Sequence, residues 1–171
     1  MSALADQTNL LAGSNHLGAT AARENGAAPI VAAVDGSSES RAAIDTAVQL
    51  AGELKAPIVF VHVRRGPDGF LGAPVYQHRL TVEMRRGRRV LDRALRAAAH
   101  AGVEAEGEIL EGSPRRRIAE FARDRGARLV VVGSRRHKFG RSVSSGVVRA
   151  AGRPVVVAHR ARPLALARGV A

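Results

Sequence analysis

The chain has 171 residues, a length that fits one domain with a sizeable core and leaves little room for two. With no cysteine, it can hold neither a disulfide framework nor a cysteine-ligated zinc or iron–sulfur site. Its 27 Lys and Arg against 15 Asp and Glu give a formal charge of +12, a field that attracts anions of every kind, from nucleotides and nucleic acid to acidic membranes and acidic proteins.

Residues 1–28 are rich in Ala, Asn, Gly, Ser and Thr without a sustained period, and read as a flexible N-terminal extension. They show neither the basic n-region nor the compact apolar stretch of a secretory signal. No apolar run in the chain approaches the ~20 residues of a membrane-spanning helix. A cytoplasmic protein with no membrane partner is therefore expected.

From residue 29 the texture changes. Ile30 to Val34 is a wholly apolar run that stops at Asp35-Gly36-Ser37, as a strand buried on both faces does. Ser37 or Ser38 can cap a following helix, with Glu39 in its first turn and Ile44, Ala47, Val48, Ala51 and Leu54 at helical spacing. Pro57 to Val63 predicts a second buried strand, and Arg64 to Pro74, with its glycines and prolines, a long loop. A second helix is expected from about Gln77 to His100, with Leu80, Met84, Leu91, Leu95 and Ala98 on one face and Gly87 as a weak point. Val103 to Leu110 begins Val-Glu-Ala-Glu, the alternation of a half-exposed strand.

Ser113-Pro114 opens a third helix that Gly126 can end. Arg128 to Val132 is a third buried strand, followed by Gly133-Ser134 and a basic loop; a last helix runs from about Arg141 to Ala151, and Pro154 to His159 forms a final strand. Residues 29–160 are thus the folded domain and residues 161–171 a C-terminal tail. Strands alternating with helices throughout predict an open α/β sheet, mostly parallel, with helices on both faces. Ligands of such sheets bind beyond the carboxyl ends of the strands, where the strand order switches.

Several site chemistries fail on spacing. There is no G-x-x-x-x-G-K-[ST] loop, and no G-x-G-x-x-G after the first strand. Gly66, Gly69 and Gly72 have a glycine rhythm but no suitable helix behind them. No His, Asp and Glu group has metal-ligand spacing, no nucleophile–base pair can be assigned, and His62 inside an apolar strand reads as a hydrogen-bonded core histidine. The informative stretch is Gly133 to Gly146, where Arg135, Arg136, His137, Lys138 and Arg141 lie between a buried strand and a helix start. Backbone N–H groups and the helix dipole can hold phosphates there; the alternative is a solvated basic connection.

Five segments in order, Ile30-Val-Ala-Ala-Val-Asp-Gly-Ser37, Val61-His-Val63, Leu110-Glu-Gly-Ser-Pro114, Gly126-Ala-Arg-Leu-Val-Val-Val-Gly-Ser134 and Arg153-Pro-Val-Val-Val157, resemble the universal stress protein family. The resemblance implies a Rossmann-like, adenine nucleotide α-hydrolase-like sheet of five parallel strands in the order 3-2-1-4-5. It also implies a homodimer built partly through the last strand, residues 154–159, and in some members ATP binding at the crevice between strands 1 and 4. ATP-binding members carry G-x2-G-x9-G-[ST]. Gly133 and Gly146 match its first and last glycines, while Arg136 replaces the middle glycine and Val147 the final Ser/Thr. Ser144 and Ser145 stand near enough in sequence to supply a hydroxyl. Asp35 matches the family's acid by the adenine and ribose, although a turn and cap role would account for it too. Val63 and Val132 match apolar residues that line the nucleoside.

The resemblance therefore implies a cytoplasmic stress-response regulatory module, not an enzyme, that takes ATP or another adenine nucleotide at Asp35, Val63, Val132, Gly133, Arg136, Gly146 and Val147. The two departures leave open a nucleotide-free stress protein acting through dimerisation and macromolecular contacts. A third reading is non-specific nucleic-acid association through Arg85, Arg86, Arg88 and Arg89 in the second helix and Arg115 to Arg117 in the third, although such runs are usually solvated faces.

Overall fold

Apolar runs without polar alternation need cover on both faces, and here they become the inner strands of one sheet. The computed structural model describes residues 27–66, 73–134 and 142–160. In chain order the elements are β1 (Ile30–Ala33), α1 (Ser38–Leu54), β2 (Ile58–Arg64), α2 (Ala73–His100), β3 (Ala105–Glu111), α3 (Pro114–Asp124), β4 (Leu129–Gly133), α4 (Val143–Ala150) and β5 (Val155–Ala158). The five strands form one parallel sheet in the order β3-β2-β1-β4-β5. The order expected from the resemblance is the order found.

Alternate residues of each inner strand serve two cores. Ile30, Ala32, Ile58 and Phe60 point to one face and pack with α1 and α2 through Ala43, Ala47, Leu91 and Ala94. Val31, Val59, Val61, Val130 and Val132 point to the other and pack with Ile118, Ala119 and Ala122 of α3 and Val147 of α4. Phe60, Ile30, Ile58 and Ile118 are among the largest fully buried side chains. Burying such a side chain contributes roughly 1.5–3 kcal/mol, so the two cores hold the strand ends in fixed register.

Four sequence expectations change. Helix α2 starts at Ala73, not near Gln77, which shortens the connection expected from Arg64 to Pro74. Gly87 is no weak point, since α2 runs through it unbroken. A Cβ there would lie 2.9 Å from His62 Cδ2 and 3.0 Å from Ile109 Cδ1, so the missing side chain lets α2 sit close on β2 and β3. The alternation expected to expose the acids of β3 also fails: Glu106 is 4% exposed. It accepts a 2.7 Å hydrogen bond from Arg125 Nη1 while Glu108 accepts one of 3.0 Å from Nη2, so one guanidinium ties the end of α3 to β3. Its spacing from α3 gave the strand no such partner to read.

Helix α4 begins at Val143 with Ser142 as its cap, two residues after the expected start. Arg141 lies outside the described residues, as do the N-terminal extension apart from residues 27 and 28, the tail 161–171, and residues 67–72 with Gly69 and Gly72.

Candidate functional site

Strand β1 leads through α1 on one face to β2, and its other neighbour β4 leads through α4, on the opposite face, to β5. The gap between the ends of β1 and β4 is therefore the switch point where such sheets bind ligands. A cleft of about 120 Å³ opens there, walled by Asp35, Val63, Val132 and Gly133, with Pro114 and Ile118 of α3 and Ser144 of α4 closing its far side.

The α1 wall is built by local hydrogen bonds. The Ser37 N–H donates to Asp35 Oδ1 at 2.9 Å, the Ser40 N–H to Ser37 Oγ at 3.1 Å and the Asp35 N–H to Ser40 Oγ at 3.1 Å. Side-chain oxygens thus occupy donors at the start of α1 that an anion would otherwise use. Both Asp35 and Glu39, the acid of the first turn, border the cleft. This wall suits hydroxyl and amino donors and disfavours phosphate.

The α4 wall has the opposite character. Ser142 Oγ accepts from the Ser145 N–H at 3.1 Å, as Ser37 does at α1, but the first turn of α4 carries no acid to offset the positive end of the helix dipole. Ser144, 8% exposed, lies on the cleft with its hydroxyl 3.0 Å from Ser142 Oγ. A ligand with donors at one end and an anion at the other fits this polarity in one orientation.

The sequence-derived residues divide. Asp35, Val63, Val132 and Gly133 meet in the cleft. Gly146 and Val147 do not wall it: Val147 is wholly buried in the core beneath α4, and a Cβ on Gly146 would fall on the stem of Arg115. Arg136 lies outside the described residues with Arg135, His137 and Lys138. Gly133 also has a packing reason of its own, because a Cβ there would lie 2.6 Å from the Glu39 carbonyl oxygen and 2.8 Å from its carbon. The first turn of α1 rests directly on the end of β4.

His62 is the core histidine expected, 5% exposed, with Nδ1 2.9 Å from the Val34 carbonyl oxygen. A carbonyl only accepts, so Nδ1 carries the proton. On α3, partial burial alone would push the Glu120 carboxyl up, but hydrogen bonds from Arg117 and Arg116 outweigh it and hold the group below its ordinary value. Sequence reasoning missed Ser40, Pro114 and Ile118 as site residues. Pro114 lay within one of the segments that carry the family resemblance; Ser40 and Ile118 had no signal beyond a hydroxyl and an apolar residue in the opening turns of helices. Among the described residues no group of three or more His, Asp and Glu is placed to hold a metal ion, and no helix is long and apolar enough to cross a membrane.

The family model described as "Universal stress protein family" matches residues 27–159. Universal stress protein YxiE of Bacillus subtilis (strain 168) is 34% identical over 115 residues, which cover 62% of this chain and 78% of that protein. A universal stress protein family structure from Burkholderia pseudomallei is similar at 31% identity and TM-score 0.62, covering 76% of this chain and 94% of that one. The universal stress protein from Archaeoglobus fulgidus in complex with dAMP is similar at 25% identity and TM-score 0.61, covering 77% and 97%.

Proposed function

The chain belongs to the universal stress protein family, and on that premise we propose that it is a cytoplasmic regulatory module that binds an adenine nucleotide, ATP or a smaller relative, in the cleft between β1 and β4. The observation that carries this reading is the convergence of Asp35, Val63, Val132 and Gly133 on one cleft whose walls have opposite polarity. The nucleoside lies against Val63 and Val132, with its ribose hydroxyls donating to Asp35. The phosphates point to the start of α4. The dAMP held by the Archaeoglobus protein is a ligand of this class in a similar fold. Binding is the activity proposed.

Asp35→Asn tests the placement. The amide keeps an oxygen for the Ser37 N–H, so the turn before α1 survives, but the charge that accepts the ribose hydroxyls is gone. Hydrogen bonds to a charged group contribute about 1.5–3 kcal/mol, so nucleotide affinity should fall about 10- to 100-fold in a chain that still folds. Equal affinity in the variant removes Asp35 from the site.

A second reading, a nucleotide-free protein acting through its dimer and through macromolecular contacts, is favoured by particular residues. Val147 offers no hydroxyl and is wholly buried, and both Gly133 and Gly146 have packing reasons to lack a side chain. Under either reading the chain pairs with a second copy through β5. That strand sits at the edge of the sheet, hydrogen-bonded to β4 on one side, with Val155, Val156 and Val157 half-buried.

A further inference from the structure

Helix α2 carries Arg85, Arg86, Arg88, Arg89, Arg93 and Arg96, all exposed. Among the described residues none of them forms an ion pair, whereas Arg64, Arg116, Arg117 and Arg125 each do. Among the described residues, then, no carboxylate is paired with these arginines. Helical spacing places Arg85, Arg89, Arg93 and Arg96 on one ridge, about 5.4 Å of axis per turn. The ridge stands opposite Leu91, Ala94 and Ala98, which are buried against the sheet. Asp92 is the exposed acid beside it.

This geometry selects among anionic partners. A helix that binds a bilayer lays an apolar face into it, but the apolar face of α2 is already spent on the core, and what faces outward is guanidinium. Guanidinium groups match phosphate oxygens with paired donors, and a row of them can follow a phosphate backbone. The chain's aromatic content of 3% offers little for stacking on unpaired bases, which favours a duplex over a single strand. The ridge also lies on the sheet face away from α3 and α4, so it does not compete with the cleft or with the β5 edge.

We propose that the Arg85–Arg96 ridge of α2 docks the phosphate backbone of a nucleic-acid duplex without reading its sequence. Fluorescence anisotropy of a labelled random-sequence DNA duplex, titrated with the full chain across a salt series, tests this. If the four arginines each neutralise a phosphate, they contribute about −3.6 to the slope of log affinity against log salt, at about −0.9 per contact. Replacing all four by glutamine (Arg85→Gln, Arg89→Gln, Arg93→Gln and Arg96→Gln) should flatten the slope by about that amount, which removes a factor of about 150 from the parent's loss of affinity over a fourfold rise in salt, and should weaken binding at low salt. Replacing the same four by lysine, which keeps the charge, should preserve most of the binding, and both variants should melt like the parent because the positions are exposed. A second duplex of unrelated sequence should bind equally.

Absence of duplex binding at low salt overturns the proposal, as does a glutamine variant that binds with the parent's affinity and slope. Binding to phosphatidylserine-containing phosphatidylcholine vesicles with none to the duplex also overturns it, and assigns the ridge to a membrane surface.

Discussion

Gly133→Ala should lower the unfolding free energy by about 1–3 kcal/mol, the range for forcing extra carbon into a packed site, and Gly133→Val should lower it further. The added Cβ would meet backbone, the Glu39 carbonyl at 2.6 Å, and neither the end of β4 nor the first turn of α1 can yield alone. Gly146→Ala is the contrast. Its Cβ would meet side-chain carbons of Arg115 instead of backbone; Cγ and Cδ can turn while Cβ, at 3.1 Å, is fixed, and the preference of a helix interior for alanine over glycine, about 1 kcal/mol, offsets part of that crowding. Its stability should stay within about 1 kcal/mol of the parent. Urea unfolding of the three variants reads both outcomes, and an unaffected Gly133→Ala would contradict the close contact of β4 with α1. The contrast bears on function, because shifting α1 also shifts Asp35 and its turn. Lost nucleotide binding in a Gly133 variant would therefore report the displaced wall as well as any direct contact at Gly133.

Arg125→Met should cost about 3–5 kcal/mol, the range for removing one partner of a buried ion pair. Glu106, 4% exposed, loses its 2.7 Å partner, and Glu108 loses the 3.0 Å bond. Methionine keeps an apolar contact with the Phe121 ring, over which the Arg125 guanidinium now lies at 5.1 Å, so the loss isolates the charge. Adding Glu106→Gln in the same chain should return a large part of it, since a neutral amide is far less costly to bury than an unpaired carboxylate. Arg116→Met sets the scale for an exposed pair. It breaks the bond to Glu120 from a side chain that is 77% exposed, and its effect should be far smaller than that of Arg125→Met. An Arg125→Met loss no larger than the Arg116→Met loss, measured by urea unfolding, would mean that the clamp between α3 and β3 contributes little.

Local signals carried the fold a long way. The unbroken apolar runs at Ile30, Ile58 and Leu129, short and bounded by turn residues, read as strands with cover on both faces, and Asp35-Gly36-Ser37 and Ser113-Pro114 mark helix starts, borne out by the cap hydrogen bond of Ser37 and by the backbone at Ser113. Contacts between distant segments were not legible. Nothing near Glu106 announces Arg125, nothing near Gly87 announces His62, and the carbonyl of Glu39 is the reason for a glycine far along the chain at position 133. The cleft was legible by halves for the same reason. Asp35, Val63, Val132 and Gly133 sit at strand ends, where topology alone brings residues together. Gly146 and Val147 sit on α4, whose rotation is set by packing, and that rotation turns Val147 into the core. Ser144, raised in sequence only as a possible hydroxyl, borders the cleft together with Val143 at the start of α4.

The most direct measurement is calorimetric titration of the full-length protein, purified under native conditions and stripped of bound nucleotide, with ATP and with AMP at near-physiological salt. A working cleft predicts saturable binding of one nucleotide per chain in the micromolar range for at least one of the two, weakened by Asp35→Asn. Absence of binding by either nucleotide at millimolar concentration would contradict it, leaving the β5 edge and the arginine ridge of α2 as the surfaces through which this protein acts.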